Sequence, residues 1–361
     1  MKRDILILGA SYGSLFATKL LMAGHRVTLV CTRPTAQLIN REGTRVGFPV
    51  KGIDGLVEIE SGELPGTLRA ATPGEVDPQG YDLVVLGMQE AQYGAPGVKP
   101  LMQGIAASSR PCFAIMNMPP LPYLARIPGV ATAPLAGCYA DPTVWNGFDP
   151  SLLTLASPDP QAFRPAERAK NVLQVGLPTN FKAARFEREE PTALLRELET
   201  DIERARLRRD GAELEIPVKL KVHDSPFVPL AKWPMLIAGN YRCIRADHMI
   251  PIREAVHDDV GEARTIYDWV AALCSRLGAD PSDLVPFDKY ACAAASLGRP
   301  SSAARALFAG AEHIERVDSL VRRIAGQIGE DCEALRRIVE LVDQRLLFNR
   351  QAHAERSLAL G

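Results

Sequence analysis

The sequence predicts an α/β protein in which a doubly wound parallel sheet is followed by a mainly α-helical second half. Three observations carry this expectation. The chain opens on a strand–turn–helix–strand unit, its first half holds short continuous apolar runs separated by helical stretches, and long 3.6-residue periodicities dominate after residue 187. At 361 residues there is room for two domains, and the change in character places them at 1–187 and 188–361.

Asp4-Ile5-Leu6-Ile7-Leu8 is an apolar run of strand length that ends in Gly9-Ala10-Ser11-Tyr12-Gly13-Ser14. From Leu15 to Met22 apolar residues recur at helical spacing, and Gly24 is a natural helix stop. Arg26 to Cys31 then reads as a second, parallel strand. The unit reads as a βαβ crossover, the opening expected of a Rossmann-type domain. A glycine at the end of the first strand lets the backbone approach a pyrophosphate, and the helix N-terminus offers N–H groups to it. Against G-x-G-x-x-G the loop supplies Gly9, Ser11 and Ser14, with a glycine at 13 instead, so only the first position matches strictly. Gly9, Ser11, Tyr12, Gly13 and Ser14 are therefore the candidate cofactor cradle.

Further along, Pro34–Asn40 suits a short helix, and Arg41 to Val46 turns into an extended region reaching Ile59. Tyr81–Met88 and Cys112–Met116 are continuous apolar runs, as expected of strands buried on both faces. Ligands of such sheets sit beyond the carboxyl ends of the strands, which places Gly9, Arg33, Gln89 and Asn117 along one rim. Thr154–Phe186 is strand-like again. Helical patterns cover Leu194–Arg209, Trp233–Arg245, Asp258–Leu277, Ser301–Ala309, Ala311–Ile328 and Cys332–Leu347, and the segment from Gln351 is expected to be loosely ordered.

Composition excludes several classes. With 47% hydrophobic and 24% charged residues and a net charge of −1, the chain has no bulk attraction for nucleic acid or an anionic membrane. Its partners are expected to be small molecules. The seven cysteines include no C-x-x-C pair, a pattern of a reducing compartment, and no apolar run approaches a membrane span. A cytoplasmic location follows as the expectation. Metal ligands at helical spacing are absent, so no metal is expected.

The second strand ends Val30-Cys31-Thr32-Arg33, and no acid follows before Glu42. An acid there binds the ribose 2′-OH of NAD, whereas an arginine accommodates a 2′-phosphate, so NADP(H) is the expected cofactor. A short-chain dehydrogenase is excluded, because none of the eight tyrosines has a lysine four residues on to lower its pKa.

The chain resembles the ketopantoate reductase family, which is related to the 6-phosphogluconate and β-hydroxyacid dehydrogenases. The resemblance rests on Ala23-Gly24-His25-Arg26-Val27-Thr28-Leu29-Val30, on Arg41-Glu42-Gly43-Thr44-Arg45-Val46, on Asp82–Gly87 followed by Gln92, on Asn117 closing a strand, and on Ala231-Lys232-Trp233 leading to Asn240. It implies that Lys232, opening the first helix of the second domain, is the general acid. Asn240 takes the place of the second of two helix asparagines, while Leu236 stands at the first. The substrate-binding serine of the family implies Ser301 here. Its following Glu-x-Asp helix motif falls near Glu312-His313-Ile314-Glu315, with His313 at the acid's place in an ungapped reading. The glycine loop is one residue shorter than the family's, Gln89 stands where lysine is usual, and Met118 replaces a glycine after Asn117.

Hydride delivery to a ketone leaves negative charge on oxygen, so the site needs a proton donor beside it and donors for the substrate's carboxylate. Lys232 is flanked by Phe227–Ala231 and Trp233–Leu236, apolar surroundings that predict partial burial. Asn117 and Asn240 suit the positioning of nicotinamide or substrate, and Gln89 and Gln92 lie at the same rim. Two alternatives stay open: an opine-type dehydrogenase condensing an amine with a 2-oxo acid through His313 or His257, and a dinucleotide-binding sensor without catalysis. An apolar helical second domain makes a homodimer an expectation as well.

Overall fold

The short apolar runs of the first half pair in register as parallel strands. The computed structural model describes residues 1–209 and 211–360. Two compact units result, one comprising residues 1–88, 92–126 and 143–229 and the other 89–91, 127–142 and 230–361.

In the first unit β1 (Asp4–Leu8) leads through α1 (Tyr12–Met22) to β2 (Arg26–Val30) and α2 (Arg33–Glu42). Then come β3 (Arg45–Phe48), β4 (Val57–Glu60), β5 (Thr67–Ala71), β6 (Leu83–Leu86), α3 (Lys99–Ser108), β7 (Cys112–Ile115), α4 (Leu121–Leu124) and β8 (Leu153–Ser157). The unit closes with β9 (Gln161–Phe163), β10 (Val172–Leu177), β11 (Phe181–Ala184), α5 (Glu189–Arg204), the hairpin β12 (Leu207–Arg209) and β13 (Ala212–Leu214), and β14 (Leu220–His223). The main sheet has eight strands in the order β14-β11-β8-β7-β6-β1-β2-β5. Read from β5, its first six strands follow the 3-2-1-4-5-6 order of a Rossmann sheet, all parallel, and β11 then pairs antiparallel to β8. The strand order reverses between β1 and β6, which is the topological switch point where such sheets bind ligands.

A second sheet, β4-β3-β10-β9, covers the far side of α1. Every residue of α1 from Gly13 to Met22 is buried for this reason, and Phe16, Val46, Phe48, Leu173 and Phe181 share one core with β1. The helix stops as its sequence suggests: Gly24 has φ +87°, its N–H bonds to Leu21 O and that of His25 to Leu20 O.

The first unit continues to residue 229, beyond the expected boundary at 187/188. Packing explains the difference. Helix α5 lies against α1 and β14, β14 extends the main sheet, and the buried Lys19 of α1 donates through Nζ to Ile216 O (2.8 Å) and Pro217 O (3.1 Å). Burial lowers the pKa of that lysine to about 7.

The second unit is helical: α6 (Trp233–Met235), α7 (Ile252–His257), α8 (Val260–Arg276), α9 (Phe287–Ala294), α10 (Ser302–Phe308), α11 (Val317–Gln327) and α12 (Glu333–Leu360). Its core gathers Trp233, Ile237, Val256, Ile266, Val270, Leu320 and Val321. Helix α12 runs on to Leu360, past Gln351, from which loose order was expected. All seven cysteines are free thiols. No helix among the described residues is long and apolar enough to cross a membrane.

Candidate active site

The turn from β1 to α1 is built by glycines with two different duties. Gly9 has φ +104°, and a Cβ there would meet Met88 Cγ at 2.7 Å and Gly87 O at 2.9 Å, so the ends of β1 and β6 close together only over a glycine. A Cβ on Gly13 would meet Ile7 Cγ2 at 2.8 Å. Gly13 thus takes over the helix-on-strand packing that the third glycine of the fingerprint performs, one position early, in a loop shortened by one residue. Ser14 is engaged within the turn, where its buried hydroxyl donates to Ala10 O at 2.6 Å. Tyr12 donates its hydroxyl to Pro160 O (2.6 Å), and its ring meets Phe181 edge-on. Both side chains serve the protein, so what these residues can offer an anion is backbone N–H. Ser11 is exposed at the helix N-cap, and the first turn of α1 carries no acid. A dinucleotide's diphosphate fits this donor set by sign and by backbone approach.

Arg33 opens α2 and is exposed. It is not alone, because its guanidinium pairs with Glu75 at 3.2 Å. Glu75 follows β5, the neighbour of β2, in a Thr72–Glu75 capping box. An acid therefore does stand at this rim, brought by the next strand and invisible to a search along residues 31–42. Asn117 follows β7 and is partly buried, while Gln89 and Gln92 lie exposed after β6.

In the second unit the segment opening at Lys232 departs from the regular helix expected over Trp233–Arg245. A 3₁₀ turn ends at Lys232, α6 follows, a π-helical turn spans Leu236–Asn240, and a 3₁₀ turn closes at Cys243. The cause is Tyr290 of α9. Its hydroxyl donates to Met235 O at 3.1 Å and fills the space beside Gly239, where a Cβ would lie 1.9 Å from Tyr290 Oη. The π turn holds an extra residue, so eight residues come closer to two whole turns than the 2.2 of an α-helix, bringing Asn240 nearer the azimuth of Lys232. Lys232 and Asn240 are both partly buried.

The end of this helix joins the other expected substrate residues. Ser301 Oγ donates to Asn240 O at 2.7 Å and accepts from Ala304 N at 3.1 Å, so it both caps α10 and steadies Asn240. Tyr241 donates its hydroxyl to Glu315 O and accepts from Val317 N. Ser301 thus meets the backbone of Asn240, and Glu315 meets its neighbour Tyr241. His313 is exposed in an irregular stretch, and His257 Nε2 lies 3.0 Å from Ala291 O.

Sequence reasoning missed Glu90. It is buried, its oxygens lie 3.1 and 3.2 Å from Ala140 N, and burial pushes its carboxyl up to about 7, with Glu315 and Asp141 adding to the rise. Such a group exchanges a proton near neutrality. Only its position shortly past the end of β6, beside Gln89, could have drawn attention to it.

No family model matches the sequence, and no curated protein does. Solved structures match over nearly the whole chain. D-mandelate dehydrogenase, in a ternary structure with NADH and anilino(oxo)acetate, has a TM-score of 0.64 at 13% identity, over 96% of this chain and 99% of that one. A PanE/ApbA family ketopantoate reductase from Ralstonia eutropha JMP134 has a TM-score of 0.57 at 17% identity, over 96% and 99%. A dimeric ketopantoate reductase from Staphylococcus aureus has 0.60 at 10%, over 96% and 99%. The chain has the ketopantoate reductase fold, an N-terminal Rossmann sheet followed by a helical domain.

Proposed function

We propose that this protein is an NADPH-dependent reductase of a small 2-oxo acid or a related carbonyl compound, similar to the ketopantoate reductases and the D-mandelate dehydrogenase whose fold it has. The observation that supports the reading is the helical segment from Lys232 to Asn240, which contains the π turn Leu236–Asn240 and whose end is held by Ser301 and, through Tyr241, by Glu315. Bound NADPH supplies the hydride. Lys232 Nζ gives a proton to the oxygen on which charge develops, and the Asn240 amide orients the substrate through hydrogen bonds. The Gly9–Ser14 turn and Arg33 hold the nucleotide, and Asn117, Gln89 and Gln92 serve its nicotinamide end. The seven free thiols support a cytoplasmic site of action, and the dimeric relative supports a homodimer.

Intrinsic fluorescence titration with both dinucleotides, followed by cofactor oxidation with a panel of 2-oxo acids, tests the proposal. NADPH is expected to bind more tightly than NADH. Arg33→Ala should narrow the gap by about 1 kcal/mol, roughly fivefold, because Arg33 is exposed and already paired with Glu75. Equal affinities in the unmutated protein would remove the NADP preference. Turnover only when an amine accompanies the 2-oxo acid would replace simple reduction by an opine-type condensation, and binding without any turnover would leave a sensor.

A further inference from the structure

We propose that Arg164 is a phosphate-binding residue of the nucleotide site, holding the diphosphate bridge from the strand opposite the glycine turn. The inference rests on the dinucleotide reading above and adds a residue that no motif in the chain marks. Strand β9 is the edge of the small sheet, and the residues flanking it reach over the turn between β1 and α1. On one side Pro160 O accepts the Tyr12 hydroxyl, and on the other Arg164 Nη2 donates to Ala10 O at 3.1 Å. A guanidinium has five N–H donors, and this contact uses one.

Arg164 is partly buried, and among the described residues no carboxylate pairs with it. Its ionisable neighbour is Cys31, at the end of β2, whose thiol burial pushes up to about 11 and so leaves neutral at pH 7. Arg33, on the same rim, is balanced by Glu75. Arg164 therefore stands as an uncompensated cation beside the glycine turn, with a planar fork suited to two oxygens of a diphosphate. Arg33 is left to read the 2′-phosphate, which separates the two arginines by experiment.

Binding of ADP, adenosine, NADH and NADPH to the full-length protein, measured by calorimetry, tests the assignment. Arg164→Ala should weaken ADP, NADH and NADPH alike, by about 10- to 100-fold as expected for charge-assisted hydrogen bonds, and leave adenosine unchanged. Arg33→Ala should instead change the ratio of NADPH to NADH affinity. Unchanged binding of ADP and both dinucleotides by Arg164→Ala would overturn the proposal. So would a loss confined to NADPH, or a loss of adenosine binding as well, which would mark a merely structural arginine. If the unmutated protein binds neither dinucleotide, the dinucleotide reading itself falls with it.

Discussion

Lys232→Ala is expected to cut turnover by about 10²–10⁴-fold, the range for loss of a general acid, while NADPH affinity stays nearly intact. The two effects separate because the nucleotide is assigned to the β1–α1 turn and the arginines of its rim, whereas Lys232 belongs to the helical unit. Buried Leu230, Ala231 and Trp233 flank the lysine, so its stem is held while the side chain stays partly accessible. Lys232→Arg should rescue little, since arginine keeps its charge and does not readily yield a proton. Steady-state kinetics with a dinucleotide titration on each variant checks this. Near-normal turnover in Lys232→Ala, combined with its loss in His313→Ala, would transfer the proton to the histidine.

Gly239→Ala is the second large effect, and it reaches the site through the backbone. The added methyl would lie 1.9 Å from Tyr290 Oη, so either the tyrosine or the π turn must move. Overpacking of this kind costs about 1–3 kcal/mol of stability. A shift of the order of 1 Å between Lys232 and Asn240 costs roughly 10²-fold in rate. Tyr290→Phe removes the obstructing oxygen and leaves Cζ 3.2 Å from the new methyl, at the expense of the bond to Met235 O. The double variant should therefore recover most of the activity lost in Gly239→Ala. Thermal unfolding and kcat across the four-member cycle measure the coupling. Additive losses would show that Tyr290 does not govern the geometry of the helix.

The sheet was legible because its strands are buried on both faces and read as unbroken apolar runs: Ile5–Leu8, Leu83–Leu86 and Cys112–Ile115 announce themselves. Strand β14 was not, since Leu220-Lys221-Val222-His223 is a four-residue edge strand whose alternation is too short to stand out after the charged α5. The domain boundary moved with it. Lys232, Asn240, Ser301 and Glu315 were singled out because a resemblance ordered them along the chain. The π turn that sets their phase has no local pattern, because its cause, Tyr290, lies 50 residues beyond Asn240 in sequence; Gly239 inside a helical stretch was the one clue. Glu75 and Arg164 were missed for a related reason. Glu75 meets Arg33 from beyond the end of β5, and Arg164 meets the β1–α1 turn from the end of β9; neither strand is next in sequence to the residues it approaches. The Gly9-to-Gly13 spacing looked defective as a fingerprint, yet the shorter loop places Gly13 where the helix must touch Ile7.

Isotopic labelling reads hydride transfer directly. The unmutated protein would be incubated with NADPH deuterated at nicotinamide C4 and a series of 2-oxo acids, and the products analysed by mass spectrometry and NMR. A 2-hydroxy acid carrying one deuterium at C2, in step with cofactor oxidation, is the expected result. Tight NADPH binding with no deuterium in any product, with or without added amine, would contradict the account.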